Sequence, residues 1–283
     1  MTARTPLPLR ILFGAFAIVV FVFSVFPVYW MLNSALLPTS AVRDSTPHFW
    51  PDEFTLKNFI TVITEPSGSI EFLPALGTSL LVTLSTVVLA LLFAFFAALA
   101  LTRFRFRSRR TLVVLLLVAQ MIPAEAMIVS IFRVLDGWAL INTVVGLTLV
   151  YLATVLPFTI WTLRGFVHGI PIELEEAAMV DGCSRMGAFF RVTLPLLGPG
   201  LTATGVFAFI QAWNEFTFAL VIMNKPDTRT LPVWLNAFVQ ATKATDWAAI
   251  MAGSTLMAIP VIIFFLVVQG RMASGVAAGA VKG

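Results

Sequence analysis

Long apolar runs alternate with short polar segments along most of the chain. Six of these runs are long enough for a helix to cross a bilayer, which takes about 20 residues. We therefore predict an all-α, polytopic membrane protein that forms a single transmembrane domain over residues 1–283. The six predicted spans lie near Ile11–Leu32, Phe72–Thr102, Thr111–Phe132, Gly137–Leu163, Gly198–Met223 and Trp247–Gly270.

The first apolar run could instead be a signal peptide. Arg4 and Arg10 precede it, and basic residues also precede the apolar core of a signal peptide. Its apolar stretch is too long for a typical signal core, and it ends in Tyr29 and Trp30, which suit the membrane interface. We therefore interpret it as an uncleaved span. The outer segment 36–71 that follows has no clear period, and we expect an ordered cap or short helices there.

The composition agrees with a membrane protein. Of the 283 residues 59% are hydrophobic and 11% are charged, whereas a soluble domain carries about 25% charged residues. Cys183 is the only cysteine and the two histidines lie far apart, so neither an intramolecular disulfide nor a metal site is expected. The net charge of +4 is interpreted as a topology signal and not as a nucleic-acid footprint.

The placement of lysine and arginine predicts the orientation. If the N-terminus is inside, most of the 18 Lys and Arg residues fall on the cytoplasmic side, including the five arginines within residues 103–110. The outer side keeps Arg43, Lys57, Arg133, Lys225, Arg229 and Lys243. Because positive charge is retained on the cytoplasmic side, both termini are predicted to be cytoplasmic. The arginine cluster itself is interpreted as a clamp at the lipid headgroups.

The longest internal cytoplasmic loop has the pattern of a folded segment. Pro171 and the acidic residues after it predict a helix start, since proline is tolerated there and negative charge favours the positive end of the helix dipole. Gly182 predicts a left-handed residue that ends this helix, and Ser184 a cap for a second, amphipathic helix. Pro195 and Pro199 are expected to stop that second helix at the entry to span five.

The first helix of this loop has the features of a docking surface. Ala177 and Ala178 are small enough to let another protein's backbone come close, and Glu176 and Asp181 offer charged contacts at the rim. The alternative is a helix that lies on the lipid surface. Its acidic residues disfavour that alternative, because the cytoplasmic leaflet is anionic. The residues alone therefore favour docking by a modest margin.

The spacing in this loop resembles the EAA signature of the permease subunits of ABC importers. The run Glu176–Ala177–Ala178 is followed by three residues and Gly182, then by nine residues and the sequence VTLP. The family pattern has isoleucine where this chain has Val192, and usually alanine where it has Cys183. By this resemblance the ATPase-coupling residues within the loop 164–199 are Glu176, Ala177, Ala178, Asp181, Gly182, Leu194 and Pro195.

The resemblance covers nearly the whole chain. The matching segments are "LTRFRF", "LPFTIWTLRGFVHGIP", "WNEF" and the ending "SGVAAGAVKG". The ending resembles the carbohydrate-uptake branch of the family, in the subunit type similar to the smaller maltose- or glycerol-phosphate-type permease. It implies a multi-pass protein of the bacterial plasma (inner) membrane that forms half of the translocation path for a sugar or sugar-like solute. Malto-oligosaccharides, trehalose, amino sugars and glycerophospho-compounds remain open as substrates.

The same resemblance implies the partners. These are a second homologous permease, two cytoplasmic ATPase subunits and an extracytoplasmic substrate-binding protein, in addition to membrane lipid, with no nucleic acid. The ATPase subunits use ATP and Mg, whereas the permease binds no cofactor directly and is not an enzyme. The chain indeed lacks the Gly-x-x-x-x-Gly-Lys phosphate loop.

Polar residues within the predicted spans three and five are candidates for the translocation path, since amides and carboxylates are costly against lipid. An aromatic ring beside such groups suits a sugar. The alternative is that they pack and form hydrogen bonds with neighbouring spans or with the partner permease. The candidates are Gln120, Glu125, Gln211, Trp213, Asn214 and Glu215.

Two other classes of function are alternatives. An ion-coupled secondary transporter or channel is suggested by the intramembrane acids Glu125 and Glu215, but no inverted repeat is visible and the loop 164–199 would be left unexplained. A membrane enzyme requires a cluster of nucleophile, base or metal ligands, and the sequence shows none.

Overall fold

The computed structural model describes residues 6–51, 53–67, 69–239 and 245–280. Apart from a single bridge between Ser67 and Ile70, the regular elements of these residues are helices. They are α1 Leu7–Leu36, α2 Thr39–Val42, α3 Lys57–Thr64, α4 Phe72–Arg103, α5 Arg109–Met121, α6 Ile128–Gly137, α7 Val144–Gly169, α8 Glu173–Val180, α9 Arg185–Ala188, α10 Leu194–Leu196, α11 Gly198–Trp213, α12 Thr217–Ile222, α13 Leu231–Asn236 and α14 Trp247–Ala280. Short 3₁₀ turns cover Ala124–Met127 and Pro226–Thr228, and a π-helical turn covers Phe189–Thr193.

Four helices are long and apolar enough to cross a membrane by themselves, namely α1, α4, α7 and the part of α14 up to Gly270. Two bent helix pairs, Arg109–Met121 with Ala124–Gly137 and Arg185–Leu196 with Gly198–Trp213, raise the number to six if each pair is one span. The described chain is therefore a polytopic, all-α membrane protein with four to six candidate spans.

The chain divides into two compact units. The first comprises Met1–Phe72 and Leu235–Ile259. Within it, the side chain of Asn58 on α3 donates hydrogen bonds to the carbonyls of Ala35 and Leu37, at 2.8 Å each. These carbonyls lie at the C-terminal end of α1, where helical carbonyls have no intrahelical partner. The outer segment thus folds into short helices, as expected, and one of them caps the preceding long helix.

The second unit comprises Leu73–Trp234 and Pro260–Gly283. Its central element is α7, which packs against α5, α11 and α12. Half of the most apolar part of α7 is buried, because it is surrounded by protein instead of lipid. The contact with α11 is close at Gly200, where an added Cβ would lie 2.6 Å from the ring of Phe166. A larger residue at this position would force the two helices apart.

The span predicted near Thr111–Phe132 is a bent pair of helical segments and not one straight helix. Helix α5 ends at Met121, and the chain bends by 82° before the following helical segment. The physical reason is Pro123, which has no N–H to donate and disfavours a helical conformation at the residue before it. Ile122 is accordingly extended, with φ −80° and ψ 120°.

The expected start of span four at Gly137 was wrong, since α7 begins at Val144. Between α6 and α7 the backbone of Ala139 and Asn142 enters the left-handed region, at φ 56° and 60°, which interrupts the helix. Thr143 then starts α7, its hydroxyl accepting a hydrogen bond from the N–H of Gly146 at 3.0 Å. A cap of this type satisfies one of the orphan donors at a helix N-terminus.

Asn142 also connects this turn to a distant loop. Its side-chain Nδ2 donates to Asn224 Oδ1 at 2.8 Å, and its Oδ1 accepts from the N–H of Lys225 at 2.9 Å and from the hydroxyl of Thr228 at 3.2 Å. Its backbone N–H donates to the carbonyl of Ile222 at 3.1 Å. One residue thus holds the turn after α6 against the turn after α12.

The span predicted over 198–223 also contains a break, because α11 ends at Trp213 and α12 begins at Thr217. Pro195 and Pro199 were expected to stop the second helix of the loop 164–199 at the entry to span five. In the structure the helical path continues through a π-helical turn and Pro195 as far as Leu196, then bends by 59° into α11. Pro195 cannot donate to a preceding carbonyl, which fits the irregular hydrogen bonding just before it.

Candidate coupling helix and polar cavity

The loop after α7 forms a short helix and a sharp turn, as the sequence predicts. Glu173, Glu175 and Glu176 occupy the first turn of α8, where negative charge favours the positive end of the helix dipole. Gly182 ends the helix in the left-handed region at φ 89°. Ser184 begins the next helix, its hydroxyl accepting from the N–H of Gly187 at 3.1 Å. The predicted helix, glycine turn and cap are therefore confirmed.

The tip made by the end of α8 and the glycine turn is open. Glu176, Ala177, Asp181 and Gly182 are exposed, while Ala178 is half-buried. An added Cβ on Gly182 would meet no atom within 4 Å. The surface therefore has room for another protein's backbone.

The sequence reasoning did not single out Val180, although it lies between the alanines and the glycine. Its side chain is 87% exposed, and Met179 beside it is also exposed. The open tip therefore carries two adjacent exposed apolar side chains, which a partner could cover. The position of Val180 two residues before a helix-ending glycine could have indicated this.

Leu194 and Pro195 lie elsewhere, at the joint before α11. Leu194 is half-buried and Pro195 is exposed, and Leu197 just after them is fully buried. The structure therefore places the alanine–glycine part of the motif on an open tip and its Leu-Pro part where the loop joins the membrane helix.

Three of the six candidate path residues share one cavity. Gln120, Glu125 and Gln211 line a cavity of about 700 Å³ formed by α5, the turn after it, α7 and α11. Phe158 and Phe207, whose ring centroids are 4.0 Å apart, form part of the same wall. The three polar side chains are exposed on this chain.

The helix break at Pro123 helps to form this cavity. Gln120 lies in the last turn of α5, and Glu125 lies in the 3₁₀ turn after the break. The bend brings the polar residues of the two segments to the same cavity as Gln211 of α11. A side-chain carboxylate, two amides and two aromatic rings can together bind the hydroxyls and the C–H face of a sugar.

The other three candidates do not line this cavity. Trp213 is 1% exposed, and its ring stacks on Phe209 with centroids 5.7 Å apart. Asn214 donates to the carbonyl of Ile210 in its own helix at 2.9 Å. Trp213 is thus part of the core. A contribution of Trp213, Asn214 or Glu215 to a sugar site stays a prediction.

Glu215 caps the helix that follows it. Its Oε1 accepts from the N–H of Phe218 at 2.7 Å, and its Oε2 accepts from the N–H of Ala219 at 3.1 Å. Both residues are buried and belong to the first turn of α12, whose N–H groups have no intrahelical partner. The carboxylate therefore stabilises the break between α11 and α12.

The described chain thus combines several membrane-length helices with a folded, exposed loop and an open polar cavity. Residues 87–277 match the family described as binding-protein-dependent transport system inner membrane component, and the chain belongs to that family. It is a multi-pass permease subunit of an ABC importer in the inner membrane, and it is not itself an enzyme. This assignment decides against the ion-coupled transporter and the membrane enzyme.

Curated relatives agree with this family. The diacetylchitobiose uptake system permease protein DasC of Streptomyces coelicolor is 45% identical over 267 residues, which cover 94% of this chain and 95% of the relative. The trehalose transport system permease protein SugB of Mycobacterium tuberculosis is 32% identical, covering 92% and 93%. The trehalose/maltose transport system permease protein MalG of Thermococcus litoralis is 32% identical, covering 97% of each chain.

A solved structure has the same fold. It is a chain of a bacterial ABC transporter involved in the import of the acidic polysaccharide alginate. The TM-score is 0.78 at 21% identity, covering 95% of this chain and 99% of that chain. At this identity the likeness concerns the fold alone.

The capping role of Glu215 leads to a stability prediction. Replacing Glu215 with alanine removes both acceptors and should destabilise the protein by about 1 kcal/mol, the usual cost of a lost cap. Glu215→Gln keeps one acceptor oxygen and should cost less. The measurement is the thermal unfolding midpoint of the purified transporter. A Glu215→Gln protein of normal stability that no longer transports would contradict a purely capping role.

Proposed function

We propose that residues 1–283 form a single transmembrane domain that supplies half of the translocation path of an ATP-driven sugar importer. In this proposal the domain has six spans, each bent pair counting as one, with both termini in the cytoplasm. The partners are a second homologous permease, two cytoplasmic ATPase subunits that use ATP and Mg, and an extracytoplasmic binding protein. The observation that supports the proposal most is the open tip at the end of α8.

The tip is suited to docking in a cleft of an ATPase subunit. Glu176, Ala177, Asp181 and Gly182 are exposed together, and Val180 adds an exposed apolar side chain that a partner can cover. A short helix with a small-residue face lets a partner backbone come close, and an apolar contact with a polar rim is the usual arrangement of a binding surface. Leu194 and Pro195 act differently, by joining the docked helix to the membrane helix α11.

The substrate that we propose is an oligosaccharide, with an N-acetylated disaccharide as the first candidate. The relative with 45% identity is named for diacetylchitobiose, and the others for trehalose or maltose. The cavity of Gln120, Glu125 and Gln211 provides acceptors and donors for sugar hydroxyls and acetamido groups. Because it is open on this chain, the second permease would complete it.

The coupling role predicts different effects for two substitutions of Gly182. Gly182→Ala meets no neighbour and suffers only the left-handed strain, about 1–2 kcal/mol, so transport should persist. Gly182→Glu places a charged side chain in the docking surface and should abolish both ATPase binding and transport. Co-purification of the ATPase subunits and sugar uptake are measured. Normal values for both in Gly182→Glu would refute the coupling role.

The topology predicts the labelling of Cys183, the only thiol of the chain. It lies next to Gly182 and is partly accessible. In the proposed topology the loop that contains it faces the cytoplasm. A membrane-impermeant maleimide should leave it unlabelled in intact cells and label it in inverted vesicles. Labelling Cys183→Ser under the same conditions controls for background. Strong labelling of intact cells would contradict cytoplasmic termini.

The cavity predicts which polar residues contact the sugar. Gln120→Ala and Gln211→Ala should each raise the KM for uptake several-fold, because a lost hydrogen bond costs about 0.5–1.5 kcal/mol. Asn214→Ala is the matched control, since its side chain bonds to its own helix, and it should leave KM unchanged. Assembly of each complex is checked by co-purification. If only Asn214→Ala changes KM, the sugar is bound elsewhere.

A further inference from the structure

Arg103 and Glu175 form an ion pair between the end of α4 and the start of α8. Arg103 Nη2 lies 2.9 Å from Glu175 Oε1, and the same nitrogen donates to the carbonyl of Ile170 at 3.0 Å. Arg103 is the last residue of α4, where a cation favours the negative end of the helix dipole. The sequence reasoning assigned Arg103 to the lipid headgroups and Glu175 to the dipole of α8, and it did not predict the pair.

The pair differs from the rest of the arginine cluster in its burial. The side chains of Arg103 and Glu175 are 13% and 16% exposed, whereas Arg105, Arg107 and Arg110 are exposed. Exposed ion pairs contribute little, because water screens them. Removing one partner of a buried pair is costly, because the other charge is left without compensation. Reversing one charge of this pair should therefore disturb the contact between its two helices more than reversing an exposed charge would.

The pair lies in the wall of an open cavity. The cavity has a volume of about 470 Å³ and is lined also by Phe96, Leu99, Phe104, Arg185, Met186 and Phe189. A second contact nearby is that of the rings of Phe95 and Phe189, with centroids 5.6 Å apart. The ion pair and this aromatic contact are thus two non-covalent connections between α4 and the loop that contains α8.

The chain connectivity makes this contact significant. Helix α8 is joined covalently to α7 on one side and to α9 on the other, but α4 is remote from it in sequence. A displacement of α8 reaches α7 and α11 along the chain, and it reaches α4 only through non-covalent contacts. Glu175 faces Arg103, while Glu176, the next residue, is exposed. Neighbouring residues of α8 thus face in different directions.

We propose that Arg103 and Glu175 are a positioning pair that transmits the displacement of the coupling helix α8 to the membrane helix α4. This inference rests on the proposed docking of α8 on an ATPase subunit and adds a second route for its movement into the membrane. Neither residue touches the ATPase or the sugar in this proposal. Breaking the pair should therefore separate ATP hydrolysis from transport without releasing the ATPase.

The test is a charge swap in the assembled transporter. Glu175→Arg and Arg103→Glu should each retain the ATPase subunits and ATP hydrolysis but lower sugar uptake about tenfold, within the range of coupling between sites. The double variant Arg103→Glu/Glu175→Arg restores an opposite pair and should recover most of the uptake. Arg105→Glu and Arg107→Glu, charge reversals at exposed positions just after α4, are the matched controls and should behave as wild type.

Several outcomes would overturn the inference. These are normal uptake in both single variants, a double variant no better than the single ones, or loss of the ATPase subunits in Glu175→Arg. The last result would place Glu175 in the docking surface. Arg103→Lys keeps the charge and should retain more uptake than Arg103→Glu, which guards against a general folding defect. The proposed docking role fails separately, through normal ATPase binding and uptake in Gly182→Glu.

Discussion

In a lipid environment every backbone N–H and C=O group must find a partner within the protein, and the arrangement of this chain depends on that constraint. Long uninterrupted helices satisfy it automatically. Each interruption requires a substitute partner for the freed backbone groups, and the structure provides one at the starts of α7 and α12 and in the turns that Asn142 connects. The carboxylate of Glu215 accepts from the first N–H groups of α12, the hydroxyl of Thr143 accepts at the start of α7, and Asn142 holds two turns together. The structure therefore gives these three polar residues a structural role, since their side chains form hydrogen bonds to the backbone at helix ends and turns.

The same constraint explains why the candidate path residues divide into two groups. A polar residue in a span is retained either because it satisfies the backbone or because it contacts something that passes through. Glu215 and Asn214 are engaged with their own helices, whereas Gln120, Glu125 and Gln211 line an open cavity. Polarity alone does not separate these cases, since the carboxylates of Glu125 and Glu215 look alike in the sequence.

Much of the fold and of the coupling loop could be predicted from the sequence, because both depend on local rules. Apolar length predicts a span, and an acidic first turn followed by Gly182 predicts a short helix and a left-handed turn. The bends could not be located in the same way. Pro123 breaks a helix, while Pro157 and Pro260 lie inside α7 and α14, so the outcome depends on neighbouring helices. The contact between Arg103 and Glu175 is long-range and leaves no local pattern.

The helix end at Met121 has a consequence for how the transporter could diversify. The bend after Met121 brings Gln120 and Glu125, on two different helical segments, to the wall of one cavity. A substitution of either side chain changes the chemistry of the wall, but the bend that places the two positions side by side depends on Pro123 and is kept. In the function proposed above, the side chains can therefore change toward another carbohydrate one at a time, without rebuilding the helices that carry them.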